Sequence, residues 1–222
     1  MKRLALLLAL ILCLSACMEV PSPAETAPPS ETTIPAETTA PAVITDFSAY
    51  EALLNPNGEE RNWLFFALGS VFERPEEIDL NYLFYLGLGH GSWDRISPES
   101  EQYLIDGGFW REMDLQPMPA AELDGILQAN FGITLSDCTI PDEWCYLEKE
   151  DFYCSNHNDA YFPSPAEITA VEDDGVMIRI YYHADFVYNT KTDEYLDDAD
   201  MVLCLERQAD GSIHAISHLP AP

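Results

Sequence analysis

The chain has 222 residues, 47% of them hydrophobic, and a formal net charge of −29. A chain of this length and apolar share can bury one full core. Lys and Arg number 10 against 39 Asp and Glu, which excludes nucleic acid as a partner, because gripping a phosphate backbone takes clustered basic residues.

Lys2 and Arg3 precede an apolar run from Leu4 to Leu14, which ends in Leu14-Ser15-Ala16-Cys17. A basic start, a short apolar segment and small residues before a cleavage point are the parts of an export signal. The stretch from Leu4 to Ala16 is 13 residues, short of the ~20 that a membrane-crossing helix needs. Leu-Ser-Ala-Cys resembles the bacterial lipobox, whose cysteine sulfur receives a diacylglyceryl group and becomes the new N-terminus. Residues 1–16 are therefore expected to be a lipoprotein signal peptide, with Cys17 as the lipidation site. Two acyl chains hold a protein stably where one holds it marginally. The mature chain is expected on the outer face of the cytoplasmic membrane, extracellular and held there through its lipid.

From Met18 to Ile44 the composition is Pro, Thr, Glu and Ala, with Pro21, Pro23, Pro28, Pro29, Pro35 and Pro41 opposing any helix. Too little apolar material is present to offset the entropy of ordering. Residues 17–44 thus read as the lipidated Cys and a disordered tether, whose 27 residues after Cys17 reach at most about 84 Å at ~3.1 Å each. Only Glu19, Glu25, Glu31 and Glu37 precede Thr45, so residues 45–222 form a single, strongly acidic domain. Cations and basic surfaces are its natural electrostatic partners, and the alternative, the commoner one for such a charge, is that the acidity serves solubility alone.

In this domain helical signals come first. Asp46 caps a short helix through Leu54, stopped by Asn55-Pro56-Asn57-Gly58. Glu59–Phe72 places Trp63, Phe66, Ala67 and Ser70 on one helical face, and Pro75-Glu76-Glu77 opens a helix running to Tyr85. Ser97-Pro98-Glu99 starts another, ended near Asp106 by Gly107-Gly108. Pro119 begins the last, with Leu123, Ile126, Leu127 and Phe131 inward and Gly132 as its C-cap. Strand signals follow. Asp173-Asp174-Gly175 joins Glu167–Glu172 to Val176–Tyr182, and Ala209-Asp210-Gly211 joins Met201–Gln208 to Ser212–His218. Asp-Gly between apolar runs marks a hairpin; Asp151–Cys154 and Asp185–Asn189 are further strand candidates. Helices first and strands second predict an α+β fold, N-terminal helices packed on a C-terminal antiparallel sheet.

Asn62-Trp63, Glu77-Ile78-Asp79-Leu80 with Leu83-Phe84-Tyr85, the Pro119–Gly132 helix, and Tyr146-Leu147 with Asp151-Phe152-Tyr153 resemble a group of short clostridial-type lipoproteins. The resemblance implies a lipobox, a tether and one α+β domain. It implies a location and an architecture, and no activity.

Candidate chemistry is sparse. Four unlipidated cysteines remain after processing and lipidation: Cys138, Cys145, Cys154 and Cys204. One bridge between two of Cys138, Cys145 and Cys154 is one reading, and free buried thiols are the other. Cys154, His157 and Asp159 are the catalytic candidates, as nucleophile, base and orienting acid, and Cys154 and His157 with His183 could hold zinc; a polar loop leaving a strand is the alternative. Asp193, Glu194, Asp197, Asp198 and Asp200 form an acidic loop between strands that either binds calcium or is merely solvated. His90 and Trp93, in the stretch Gly87–Trp93, are candidate binding residues on a surface loop; Trp93, Trp110 and Trp144, near loops or helix ends, are either exposed recognition aromatics or, more commonly for such residues, edge-of-core side chains. No catalytic signature appears. The expected function is a cell-surface lipoprotein with a non-catalytic binding or envelope-structural domain, whose partner is a wall polymer, a peptide or an envelope protein. The alternatives are an envelope hydrolase and a calcium-dependent interaction module.

Overall fold

A computed structural model describes residues 42–54, 62–84, 88, 91–156 and 167–222. The described residues belong to one compact unit. The signal peptide, Cys17, most of the tether, His90, His157 and Asp159 lie outside the described residues.

The fold is α+β with two antiparallel sheets. The larger runs in the order β1-β5-β6-β7-β8, with β1 Ala42–Val43, β5 Glu167–Asp173, β6 Met177–Asn189, β7 Glu194–Arg207 and β8 Ile213–Pro220. Both Asp-Gly hairpins form as expected. In the first, Gly175 takes φ 90 while Asp174 accepts from the amides of Val176 (3.0 Å) and Met177 (2.7 Å). In the second, Gly211 takes φ 90 while Asp210 accepts from Ser212 N–H at 2.9 Å. Only Gly holds such a φ without steric cost. Ala42 and Val43 pair with Asp173 and Glu172, so the sheet begins three residues before the expected start of the domain.

Helices cover the sheet: α1 Ser48–Leu54, α2 Trp63–Ala67, α3 Leu80–Leu83 and α5 Ala120–Phe131. Two are shorter than their sequences predict. In α2, Asn62 caps Leu64 and Phe65 N–H at 3.1 and 3.2 Å, but the helix stops at Ala67. The backbone after it is claimed by the sheet: Val71 N–H donates to Tyr188 at 3.0 Å and Phe72 N–H to His218 at 3.0 Å. Continued helix would forfeit those bonds. The segment opened by Pro75 likewise splits into a single 3₁₀ turn, Pro75–Glu77, and α3, because Asp79 caps a new helix through Asn81 and Tyr82 N–H. One large core lies between these helices and the sheet, with Phe72, Tyr182, Leu203 and Phe131 almost fully buried.

The smaller sheet has the order β2-β4-β3, from β2 Leu115–Pro119, β3 Cys145–Leu147 and β4 Phe152–Asn156. Pro117 and Pro119 hid β2 from sequence reasoning; β2 is an edge strand, where a missing N–H costs no ladder bond. With α4 Pro98–Asp106 this sheet encloses a separate small core of Ile96, Leu104, Leu115, Leu147 and Cys154. Glu150 pins the start of α4 to the β3–β4 turn, accepting from Ser97 N–H at 3.2 Å and Ser100 Oγ at 2.8 Å. Among the described residues no helix is long and apolar enough to cross a membrane.

Candidate functional site

Each expected site residue has a definite place or lies outside the described set. Cys154 is in mid-β4 and fully buried, and burial pushes its thiol up to about 12. The strand expected over Asp151–Cys154 forms, and a buried, protonated thiol within it is no surface nucleophile, which speaks against Cys154 as a catalytic residue; His157 and Asp159 are outside the described residues. All four domain cysteines are free. His183, the other zinc candidate, lies on β6 and is taken up by the acidic run described next.

The acidic run is also corrected. Glu194–Asp200 is the first half of β7, paired with β6, and the loop is only 190–193. Of the five carboxylates, those of Asp198 and Asp200 are taken up by His183. His183 Nε2 pairs with Asp198 at 2.9 Å and its Nδ1 with Asp200 at 3.1 Å. The ring sits between two carboxylates that share no centre, and those acids raise its pKa above the ordinary histidine value. Asp193 accepts from the Tyr188 hydroxyl. Among the described residues no three His, Cys, Asp or Glu side chains are grouped to hold a metal.

Trp93 is half-buried, donates its indole N–H to Met113 carbonyl at 3.0 Å and packs on the small core. It is a core-edge residue, the second of the two readings its sequence offered, and not an exposed recognition aromatic; His90 is outside the described residues. The recognition-type aromatics are elsewhere. Tyr103 is 62% and Trp110 65% exposed, and both face a cleft of about 1550 Å³ formed by both sheets and their helices. Nearly half of its lining residues are aromatic.

The local chain explains the two walls. α4 ends at Gly107-Gly108, where Gly108 has φ 95 and Phe109 N–H turns back to Leu104 carbonyl at 2.9 Å. Phe109 then packs on the small core and Trp110 projects outward. Opposite, Tyr82 of α3 stacks on Tyr188 of β6 with ring centroids 5.4 Å apart, and Tyr188 meets Tyr195 of β7 at 5.1 Å. The Tyr82 hydroxyl donates to that of Tyr195 at 3.3 Å; burial first, then this neighbour, raise the Tyr82 phenol above its usual range. The hydrogen bond to Asp193 pushes Tyr188 up to about 12. The Tyr82 and Tyr188 phenols therefore stay neutral at physiological pH.

The floor carries Trp144, buried, whose indole N–H donates to Asn81 Oδ1 at 2.7 Å while Asn81 Nδ2 donates to Glu143. Asp106, Asp142 and Glu143 line the cleft, and among the described residues no Lys, Arg or His does. The arrangement offers stacking faces, carboxylates and amides, and among the described residues no oriented nucleophile–base pair. Comparison with known proteins finds no matching family model, no matching curated protein and no matching solved structure.

Proposed function

We propose that this chain is a lipid-anchored cell-surface protein, fixed through Cys17 to the outer face of the cytoplasmic membrane, whose domain binds an extracellular ligand without catalysis. The observation that carries the binding reading is the placement of the exposed aromatics. Of the large hydrophobic side chains left exposed among the described residues, all but Val176 (Tyr103, Trp110, Tyr146 and Tyr195) line the one aromatic cleft. Scattered singly they would need no explanation; gathered in a concave site with polar groups they mark a binding face. The export and lipobox residues at the N-terminus support the location.

The test uses the full chain in a neutral detergent, incubated with isolated Gram-positive envelope and sedimented. The wild type should pellet with the envelope, and the double variant Tyr103→Ala, Trp110→Ala should remain in the supernatant; equal retention contradicts the cleft as the binding face. Release of soluble envelope fragments by the wild type, lost in Cys154→Ala, would replace this reading with a hydrolase. For the anchor, Cys17→Ser should move the chain from the membrane to the soluble fraction, and a variant that stays membrane-bound after carbonate washing contradicts lipidation.

A further inference from the structure

We infer that the ligand of the cleft is an extended cationic segment, a basic peptide stretch whose amine or guanidinium groups lie on the aromatic faces and beside Asp106, Asp142 and Glu143. The inference rests on the reading of the cleft as a binding site and adds the chemistry of its occupant. Three observations carry it. The first is charge: the three carboxylates lining the cleft form no ion pair among the described residues, and the nearest cation in sequence, Arg111, is held by Glu101 at 2.7 Å. A site that gathers negative charge and supplies no counter-ion of its own is complementary to a cation. The second is surface: the rings of Trp110, Tyr103 and Tyr146 are exposed, and a cation over such a face is attracted by the ring quadrupole. The third is size: about 1550 Å³ exceeds the ~300–1,000 Å³ of a small-molecule pocket, so the occupant is a segment several residues long. The whole-chain charge of −29 repels anionic polymers and steers cations inward.

The probe is hexalysine, titrated calorimetrically into the full chain in neutral detergent, beside hexaglutamate and a neutral chitin hexasaccharide. Hexalysine should bind saturably, weaken as salt rises through ~0.1 M, where screening shortens to ~10 Å, and lose about tenfold or more in affinity in Trp110→Ala and in Asp142→Asn, Glu143→Gln. Hexaglutamate and the sugar should not compete. If the sugar binds through Trp110 and hexalysine does not, the cationic assignment falls while the cleft remains a binding site. Hexalysine binding that is unchanged in both variants places it on the general acidic surface and overturns the inference. Absence of binding by hexalysine also overturns it.

A second inference rests on strand register alone. Cys145 of β3 lies directly opposite Cys154 of β4, and both pack on the small core. Directly opposed antiparallel residues have Cα atoms ~4.5–5.5 Å apart, within the ~4.4–6.8 Å that a disulfide spans. Cys204 instead faces Arg179 and Ser217 across its ladder, and Cys138 packs on the large core. We propose that Cys145 and Cys154 are an oxidisable pair. The two thiols lose two protons and two electrons as their S–S bond forms, and a disulfide oxidant such as oxidised glutathione takes up both protons and both electrons as its own S–S bond breaks into two thiols. The full chain is treated with oxidised glutathione, denatured, alkylated and mapped by peptide mass. Linked Cys145 and Cys154 peptides, with Cys138 and Cys204 alkylated, are expected. Alkylation of all four, or a link through Cys138 or Cys204, overturns the pairing.

Discussion

The β5–β8 meander buries Ile178, Ile180, Tyr182, Leu203, Leu205 and Ala215 against helices in one continuous core, whereas the three-stranded sheet and α4 rest on Ile96, Leu104, Leu115, Leu147 and Cys154. The first region is closed by long ladders and by backbone bonds from Val71 and Phe72. The second has short strands and a helix pinned chiefly by Glu150. Stability within a domain follows buried contact, and the least buried units open first. The cleft draws one wall from each: Tyr82, Tyr188 and Tyr195 from the deep region, Tyr103 and Trp110 from the shallow one. A ligand seated there would bridge a rigid wall and a yielding one.

The largest effects should separate the two regions. Phe72→Ala removes a fully buried ring and should cost about 3–5 kcal/mol of global stability in urea. Leu104→Ala, equally buried, should instead raise hydrogen exchange in 98–106, 115–119 and 145–156 while β6 and β7 stay protected. Loss of protection everywhere in both variants would erase the distinction.

Protons should act on the deep region with a definite sign. His218 is fully buried, donating Nδ1–H to Ser70 carbonyl at 2.6 Å and accepting the Tyr182 hydroxyl at Nε2, 2.5 Å. Desolvation lowers its pKa from 6.5 to about 4. The unfolded chain therefore takes up this proton first as pH falls. The stabilisation is full above pH ~6.5 and shrinks toward pH 4, by roughly 3 kcal/mol. His183 has a raised pKa and acts in the opposite sense: its contribution is present below the unfolded value and is lost as pH rises through the folded one. Urea midpoints between pH 4.5 and pH 7.5 should lose most of their pH dependence in His218→Gln, and steepen slightly in His183→Gln.

Smaller effects test single devices. Gly132 has φ 70 and an added Cβ would lie 2.7 Å from His214 Nδ1, so Gly132→Ala should cost about 1–2 kcal/mol in thermal unfolding. Asn62→Ala, which uncaps α2, should cost about 1 kcal/mol. Trp110→Ala should change stability by less than ~0.5 kcal/mol, which separates a surface kept for binding from one kept for packing; a loss of several kcal/mol would mean that Trp110 holds the small lobe together.

Features set by local chemistry could be read from the sequence. Asp-Gly turns, the Ser97-Pro98 start of α4 and the Gly132 end of α5 all form where the residues placed them. Features set by distant partners could not. The β6–β7 turn has no glycine; Asp193 takes the left-handed φ of 57 there, and the acidic strand after it is held by cross-strand pairing against its low intrinsic β propensity. The helix over 59–72 was cut short by sheet strands more than a hundred residues away. In the cleft, Trp110 carried a usable signal, an aromatic just beyond a Gly-Gly helix stop and outside any core periodicity. The tyrosine wall carried none, since Tyr82 and Tyr195 are 113 residues apart.

The most direct measurement is hydrogen exchange of the full chain by mass spectrometry, with and without saturating hexalysine. Slower exchange in 103–113 and 142–146, with β5 and β8 unchanged, is the expected result. Protection confined to the acidic strand 194–200, or none anywhere, would contradict a cation-binding cleft between the two regions.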